Sequence, residues 1–294
     1  MPSIIINNKV IEYTIGSAIG RDHLYVGGGP IKPLVGRGNQ DAYATAEDEN
    51  FFIAVITDGC SEGEHSEVGA NFGANFIAHR FREKFHRSSN LGYVLAVEDD
   101  MERIRQDMLA TFRLWLCNFP GNLHTNVSNY ALFTIMGVMI RSMDVVIFSI
   151  GDGYWAMNGS LNRIGPFPNN EPPYMGYGLV TTKMVTADPT IIRFKCIAQE
   201  ELDSIENLLI ASDGLVWFIK NEDVVIPGHT RKVGNISQFW ESDTFYKNET
   251  EMSRFLKRCN YDVQKVENGR LKDTVGLLND DTTVFALRTK DIML

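Results

Sequence analysis

Short apolar segments rich in β-branched residues recur along the chain and predict β-strands. They cover residues 12–19, 51–57, 130–140, 144–150, 154–157, 161–164, 190–197, 208–211 and 282–287. The dipeptide Asn158-Gly159 separates two of these segments. Because both residues tolerate a positive φ, the dipeptide favours a two-residue hairpin turn. Antiparallel strand pairing is therefore predicted.

Two segments have the hydrophobic spacing of amphipathic helices. In residues 66–85, Val68, Phe72 and Phe76 recur every four residues, and apolar side chains keep a similar spacing in residues 98–117. A further helix is predicted at residues 249–259, within a stretch, 214–279, whose other elements the pattern does not order. Long helices inserted among mostly antiparallel strands predict an α+β fold built in layers.

Composition and charge narrow the class of protein. The chain has 294 residues, 44% of them hydrophobic, and a net charge of −9, without a cluster of Lys and Arg. Such a chain lacks the basic surface that nucleic-acid binding requires. No linker-like tract divides it, so a single domain over residues 1–294 is predicted.

Membrane insertion and metal binding by cysteine are both disfavoured. The longest nearly apolar run, residues 131–140, is far shorter than the roughly 18 residues that a membrane span needs. The first residues lack the features of a secretory signal, so a cytoplasmic location is predicted. Four widely scattered cysteines show neither zinc-site nor disulfide spacing.

Aspartates stand at the ends of four predicted strands. Asp58, Asp152 and Asp213 each follow or end a strand beside a glycine, whereas Asp280 precedes one. A single Asp-Gly pair is most often a simple turn. Several carboxylates brought together by neighbouring strands would repel one another unless a cation were present. An all-oxygen set of ligands favours Mg²⁺ or Mn²⁺.

An earlier segment completes an ordered set of motifs. The set is Asn39-Gln40-Asp41-Ala42, Thr57-Asp58-Gly59, Gly151-Asp152-Gly153, Ser212-Asp213-Gly214 and Asp280-Asp281-Thr282-Thr283. In this order the motifs resemble those of the metal-dependent serine/threonine protein phosphatases of type 2C, in particular bacterial members. The resemblance spans residues 37–287. Each motif is weak alone, whereas the ordered set is specific.

The resemblance implies a fold and a site. The fold is a four-layer αββα sandwich, in which two antiparallel β-sheets flanked by helices pack face to face. The implied metal ligands are Asp58, which bridges two ions, the Gly59 carbonyl, Asp213 and Asp280, with Asp152 at the position of a third ion. Asp41 would hold water at the ions, and Arg37 would contact the substrate phosphate. The implied cofactor is Mg²⁺ or Mn²⁺. Two ions are implied at the site, and a third would bind at Asp152.

Four positions depart from the common family pattern. Arg37 lies one residue nearer to Asn39 than is usual, and Gln40 stands where Glu is frequent. Cys60 replaces a His proposed in several members to protonate the leaving group. Asp281, instead of Asn, follows Asp280, so the sequence leaves open which of the two carboxylates binds metal.

The predicted function is hydrolysis of phosphoserine and phosphothreonine in proteins by a metal-activated water. A phosphorylated protein is the expected partner, with a serine/threonine kinase as a further one. Two alternatives stay open at this point. One is a catalytically weak or inactive relative that serves as a regulatory module, and the other is a hydrolase of small phosphate esters. Loss of Asp58, Asp213 or Asp280 would indicate the inactive module, and all three are present.

Overall fold

The structure, a computed structural model, describes residues 2–24, 38–89, 97–267 and 270–292. The strands are β1 Ser3–Ile6, β2 Lys9–Ala18, β3 Asp41–Asp48, β4 Phe51–Gly59, β5 Phe133–Arg141, β6 Asp144–Ile150, β7 Gly153–Met157, β8 Ser160–Ile164, β9 Lys195–Glu201, β10 Asn207–Ala211, β11 Val263–Glu267, β12 Arg270–Thr274 and β13 Thr282–Asp291. The helices are α1 Arg21–Leu24, α2 Ser66–Ser89, α3 Val97–Leu116, α4 Leu123–Tyr130, α5 Lys183–Ala187, α6 Leu215–Lys220, α7 Gln238–Glu241, α8 Asp243–Lys247 and α9 Glu251–Cys259. In the described part of the chain, no helix is both long enough and apolar enough to cross a bilayer.

Two antiparallel sheets form the centre of the molecule. Sheet A has the strand order β1-β2-β13-β10-β7-β8, and sheet B has the order β3-β4-β5-β6-β9. Strands β11 and β12 form a separate hairpin. The predicted turn between β7 and β8 is confirmed, with Asn158 and Gly159 at φ values of 49° and 79°.

Each of the two sheets is packed on both of its faces, which gives the molecule four layers. Side chains from both sheets, such as Phe52 and Ile56 of sheet B and Phe285 of sheet A, form a shared core between the sheets. The outer face of sheet B packs against α2, α3 and α4. The outer face of sheet A packs against residues of α6 to α9. The predicted α+β, four-layer αββα sandwich is confirmed.

The buried face of α2 differs from the predicted one. Val68 is exposed, and Phe72 is only partly buried, whereas Ala70 and Ala74 are fully buried. Small residues in the first turns of α2 face sheet B because the helix packs closely there: a Cβ on Gly73 would lie 2.6 Å from the Phe133 ring of β5. The Phe72 side chain packs instead towards Phe112 and Trp115 of α3.

Several predicted strand boundaries are also corrected. The strand predicted at 190–197 begins at Lys195, and Tyr130, predicted to open a strand, ends α4. Strands β1, β3, β11 and β12 were not predicted. Strand β3 carries small alanines alternating with polar residues, and this pattern has little of the bulky apolar character that marks a strand.

The chain crosses from sheet B to sheet A in two residues. Gly151 and Asp152 are the whole connection between the end of β6 and the start of β7. Gly151 has a φ of +95°, and a Cβ there would lie 2.7 Å from the Thr134 side chain. The turn therefore requires glycine for both conformation and space.

Candidate metal centre

Five aspartates lie at adjoining edges of the two sheets. Asp41 opens β3 and pairs directly with Asp58 near the end of β4, so both belong to sheet B. Asp152 precedes β7, Asp213 follows β10, and Asp280 precedes β13, which are neighbouring strands of sheet A. We call these five residues the carboxylate cluster. Both sheets contribute to it because antiparallel strands begin and end at the same edge.

Direct contacts across the sheets hold Asp41 in place. The Ser212 hydroxyl donates a hydrogen bond of 2.7 Å to Asp41 Oδ2, and it accepts one of 3.0 Å from the backbone N–H of Thr283. Asp41 is buried, and its Oδ1 has no hydrogen-bond partner among the described residues. A buried, unpaired carboxylate oxygen is costly unless a cation or a donor meets it.

Burial and mutual repulsion together raise the pKa values of the cluster. Burial, together with the charges of Asp41, Asp213, Asp280 and Asp152, raises the pKa of Asp58 well above its ordinary range. Burial likewise raises the pKa of Asp213, which lies beside Asp58. Burial, with Asp213 as the next contributor, raises the pKa of both Asp152 and Asp280 to about 6.

These observations test whether a metal fits the cluster. No three His, Cys, Asp or Glu side chains of the described residues form a ready-made metal cage. The donors are nevertheless all carboxylate oxygens, their pKa values are raised by burial and like charge, and Asp41 Oδ1 is unpaired. A hard divalent cation would relieve each of these costs. The residues present therefore fit Mg²⁺ or Mn²⁺.

Asp281 has a different environment from Asp280. Its Oδ1 accepts a 2.6 Å hydrogen bond from the N–H of Gly20, and its Oδ2 accepts one from the N–H of Gln40. His23 Nδ1 lies 2.9 Å from the same Oδ2. Asp281 thus ties three parts of the chain together, and its oxygens are committed to that task. Asp280 is the carboxylate of this pair that belongs to the cluster.

The turn after Asp58 is packed tightly around Gly59. The Gly59 N–H donates to the Gln40 carbonyl oxygen at 3.1 Å, and a Cβ on Gly59 would lie 2.9 Å from Ser66 Oγ. Gln40 Nε2 donates to the same Ser66 oxygen at 2.6 Å. Gln40 Oε1 is buried with no partner among the described residues. The backbone at Gly59 therefore has no room for a side chain.

Cys60 contacts a segment that the sequence did not connect to the site. The Tyr174 side chain lies beside Cys60, and burial, followed by the proximity of Cys60, raises the pKa of Tyr174 far above its ordinary value. Tyr174 lies in the long connection between β8 and β9. Nothing in the sequence marks this contact, because the two residues are distant along the chain.

The structure places some predicted site residues and not others. Asp41, Asp58, Asp152, Asp213 and Asp280 come together, with Gly59 beside Asp58. Arg37, the predicted phosphate contact, lies outside the described residues. Ser212, His23 and the structural role of Asp281 were missed. Ser212 stands directly before Asp213, and this adjacency is the only sequence signal that could have indicated it.

The chain is similar in sequence to a known protein family. The sequence profile described as protein phosphatase 2C matches residues 34–258. No curated protein matches the sequence.

Solved structures provide a comparison of the fold. Serine/threonine phosphatase Stp1 from Staphylococcus aureus is 14% identical, with a TM-score of 0.46, and the alignment covers 95% of each chain. The catalytic domain of the phosphatase PstP, crystallised with two manganese ions, is 12% identical, with a TM-score of 0.45 and coverage of 96% of this chain and 100% of that one. RsbX, crystallised with magnesium, is 14% identical, with a TM-score of 0.43 and coverage of 99% and 100%.

Proposed function

Because this chain belongs to the protein phosphatase 2C family, we propose that it removes phosphate from serine and threonine side chains of proteins, with Mg²⁺ or Mn²⁺ as cofactor. The observation that supports this proposal best is the carboxylate cluster itself. Four aspartates from two sheets surround Asp58, and all five carboxyls are buried or half-buried with raised pKa values. Clusters of strongly perturbed groups are typical of functional sites.

The chain supplies the ligands and the orientation. We assign Asp58, Asp213, Asp280 and the Gly59 carbonyl to two metal ions, and Asp152 to a third. When bound, such ions offset the charge of the phosphoryl group and make water a better nucleophile. Ser212 fixes Asp41 Oδ2, which leaves Oδ1 to accept a hydrogen bond from the attacking water. No protein nucleophile is needed for this chemistry.

The chemistry also indicates the partners. A phosphorylated protein is the substrate, and a serine/threonine kinase must generate it. We retain Arg37 as the expected contact for the substrate phosphate. The role that some relatives give to a His after Asp-Gly has no counterpart at Cys60, whose thiol contacts Tyr174.

The test is hydrolysis of a phosphothreonine peptide with Mn²⁺ or Mg²⁺, with and without a chelator. We expect activity that needs metal and falls more than about 100-fold in Asp58→Asn and in Asp213→Asn, because each loses a ligand. Asp223→Asn is the matched control, since Asp223 is exposed and pairs with Lys232.

Other results would select an alternative. A folded protein that neither hydrolyses the peptide nor binds either metal by calorimetry would be a regulatory module. Activity on a small aryl phosphate without activity on phosphopeptides would indicate a hydrolase of small esters.

A further inference from the structure

A cleft of about 390 Å³ lies on the outer side of sheet A, between the edge strand β8 and the helices α6 and α7. Its volume is at the lower end of the range for ligand-binding clefts, about 300–1,000 Å³. The floor of the cleft is apolar, and its rim carries two acidic side chains. The floor residues are Leu161, Ile219, Ile236 and Trp240, and the rim acids are Glu222 and Glu241.

The apolar floor extends onto the edge strand of sheet A. Leu161 of β8 pairs directly with Ala156 of β7, and Ala156 belongs to the core between sheet A and its helices. Because directly opposed residues of paired strands share a face, Leu161 points towards the helix layer as well. Leu161 is nevertheless 36% exposed, whereas Ile236 and Trp240 are each 8% exposed. The helices that the structure describes therefore leave this apolar surface uncovered.

The two rim acids are not neutralised by a neighbouring cation. Glu222 and Glu241 are exposed, and neither forms an ion pair within the described part of the chain. The Glu222 carboxylate accepts a hydrogen bond of 3.1 Å from the Asn235 amide, which carries no charge. The adjacent Asp223, by contrast, pairs with Lys232 at 2.8 Å. Two uncompensated negative charges beside an apolar floor complement a partner with an apolar side chain next to Lys or Arg.

Two elements run from the carboxylate cluster to this cleft. Strand β7 starts beside Asp152 and leads to the turn at Gly159, which lines the cleft. Helix α6 starts two residues after Asp213, and Glu222 follows its last residue by two. The 5 residues of β7 span about 17 Å. A chain that contacts both places therefore needs at least about five extended residues between the two contacts.

We propose that this cleft binds a segment of the phosphoprotein substrate, an apolar side chain flanked by Lys or Arg, at a distance from the phosphorylated residue. This inference rests on the proposed function, because it adds a second contact to the same substrate. The cleft does not touch the reacting atoms, so the contact is equally strong before and during the reaction. Such a contact lowers KM and leaves kcat unchanged.

The experiment compares phosphothreonine peptides of equal length in steady-state hydrolysis with Mn²⁺. One peptide carries Arg-Arg-Leu-Arg about eight residues from the phosphothreonine, joined through Gly and Ser, and the other carries Glu-Glu-Leu-Glu there. Both are made with the segment before and after the phosphothreonine. In one of these placements, the basic peptide is expected to have a KM about five- to tenfold lower, with equal kcat. Ser in place of its Leu should raise KM about threefold.

The double variant Glu222→Gln/Glu241→Gln tests the rim. It should reduce the preference for the basic peptide to less than about twofold, because both charge contacts are lost. Glu49→Gln/Glu200→Gln is the matched control, since both residues are exposed and lie in the β3–β4 turn and on β9 of sheet B. This control changes the net charge equally and should keep the full preference. An equal loss in both double variants would mean that net charge alone is responsible, which overturns the inference.

A binding measurement separates this inference from the proposed function. The unphosphorylated basic peptide, labelled with a fluorophore, is titrated with chelator-treated protein and followed by anisotropy. Binding that weakens about fivefold in Glu222→Gln/Glu241→Gln supports the cleft, even where the protein hydrolyses no phosphopeptide and the proposed function fails. Metal-dependent hydrolysis with equal KM for basic and acidic peptides, and no binding, overturns the inference and leaves the proposed function intact. A dimer that Leu161→Glu dissociates in sedimentation assigns the cleft to a second copy of this chain, which also overturns it.

Discussion

At the scale of the residue, the carboxylate cluster stabilises the fold at low pH and destabilises it at high pH. The pKa of Asp152 is about 6 in the folded chain, against an ordinary value of 3.8. A pKa raised by folding contributes stability that is present below pH 3.8 and is lost as the pH rises through 6. Without metal, the ionised cluster therefore opposes folding at neutral pH.

Asp152→Asn should stabilise the chelator-treated protein at pH 7.5 and have little effect at pH 4. The amide cannot ionise, so it avoids the cost of a buried charge, which is on the order of 1–3 kcal/mol. Thermal unfolding at the two pH values measures the difference. Asp223→Asn is the control, since Lys232 lowers the pKa of Asp223 and no gain at pH 7.5 is expected. An equal gain for Asp152→Asn at both pH values would contradict this explanation.

The residues of the site were predictable to different degrees. Asp58, Asp152 and Asp213 were accessible to sequence analysis because each follows or ends an apolar strand beside a glycine. The choice between Asp280 and Asp281 was not, because it depends on backbone N–H groups of Gly20 and Gln40 that are remote in sequence. Assignment of the cluster to metal ions stays a prediction.

At the scale of the element, the turn between β6 and β7 is the most constrained connection at the site. Gly151→Ala should cost about 1–2 kcal/mol for its positive φ, with a further 1–3 kcal/mol for the contact with Thr134. It should also weaken Mn²⁺ binding, because Asp152 follows directly. Chemical denaturation and calorimetry measure the two effects.

The β7–β8 hairpin offers the matched control. Gly159 has a φ of +79°, but nothing lies within 4 Å of a Cβ placed there. Gly159→Ala should therefore cost only the backbone strain and leave Mn²⁺ affinity unchanged. Similar losses of stability and affinity in both variants would show that the space around Gly151 is unimportant.

Elements differ in how clearly the sequence encodes them. Strands β4, β5 and β6 are buried on both faces, so their continuous apolar runs were readily predicted. Strand β3 and the first turns of α2 use alanine and glycine on their buried faces, whose role is close packing and not hydrophobic bulk. Spacing rules that count large apolar residues cannot detect such surfaces.

At the scale of the whole molecule, metal binding should stabilise both sheets together. Mn²⁺ at 100 times its Kd is expected to add about 2.7 kcal/mol to the free energy of unfolding, since the unfolded chain lacks the site. Asp58→Asn in sheet B and Asp213→Asn in sheet A should each abolish most of this gain in thermal unfolding. Loss in only one variant would mean that the ions bind to one sheet alone.

The two-residue link at Gly151 and Asp152 also limits how far the sheets can separate. Three peptide units join Ile150 to Gly153, and they span at most about 11 Å. Facing sheets pack about 10 Å apart, so the link has almost no slack. Covalent chain length, in addition to side-chain packing, thus sets the gap across which the aspartates of opposite sheets face each other. One inserted residue would lengthen the link by about 3.5 Å. This is enough to misalign the aspartates in a chain that still folds.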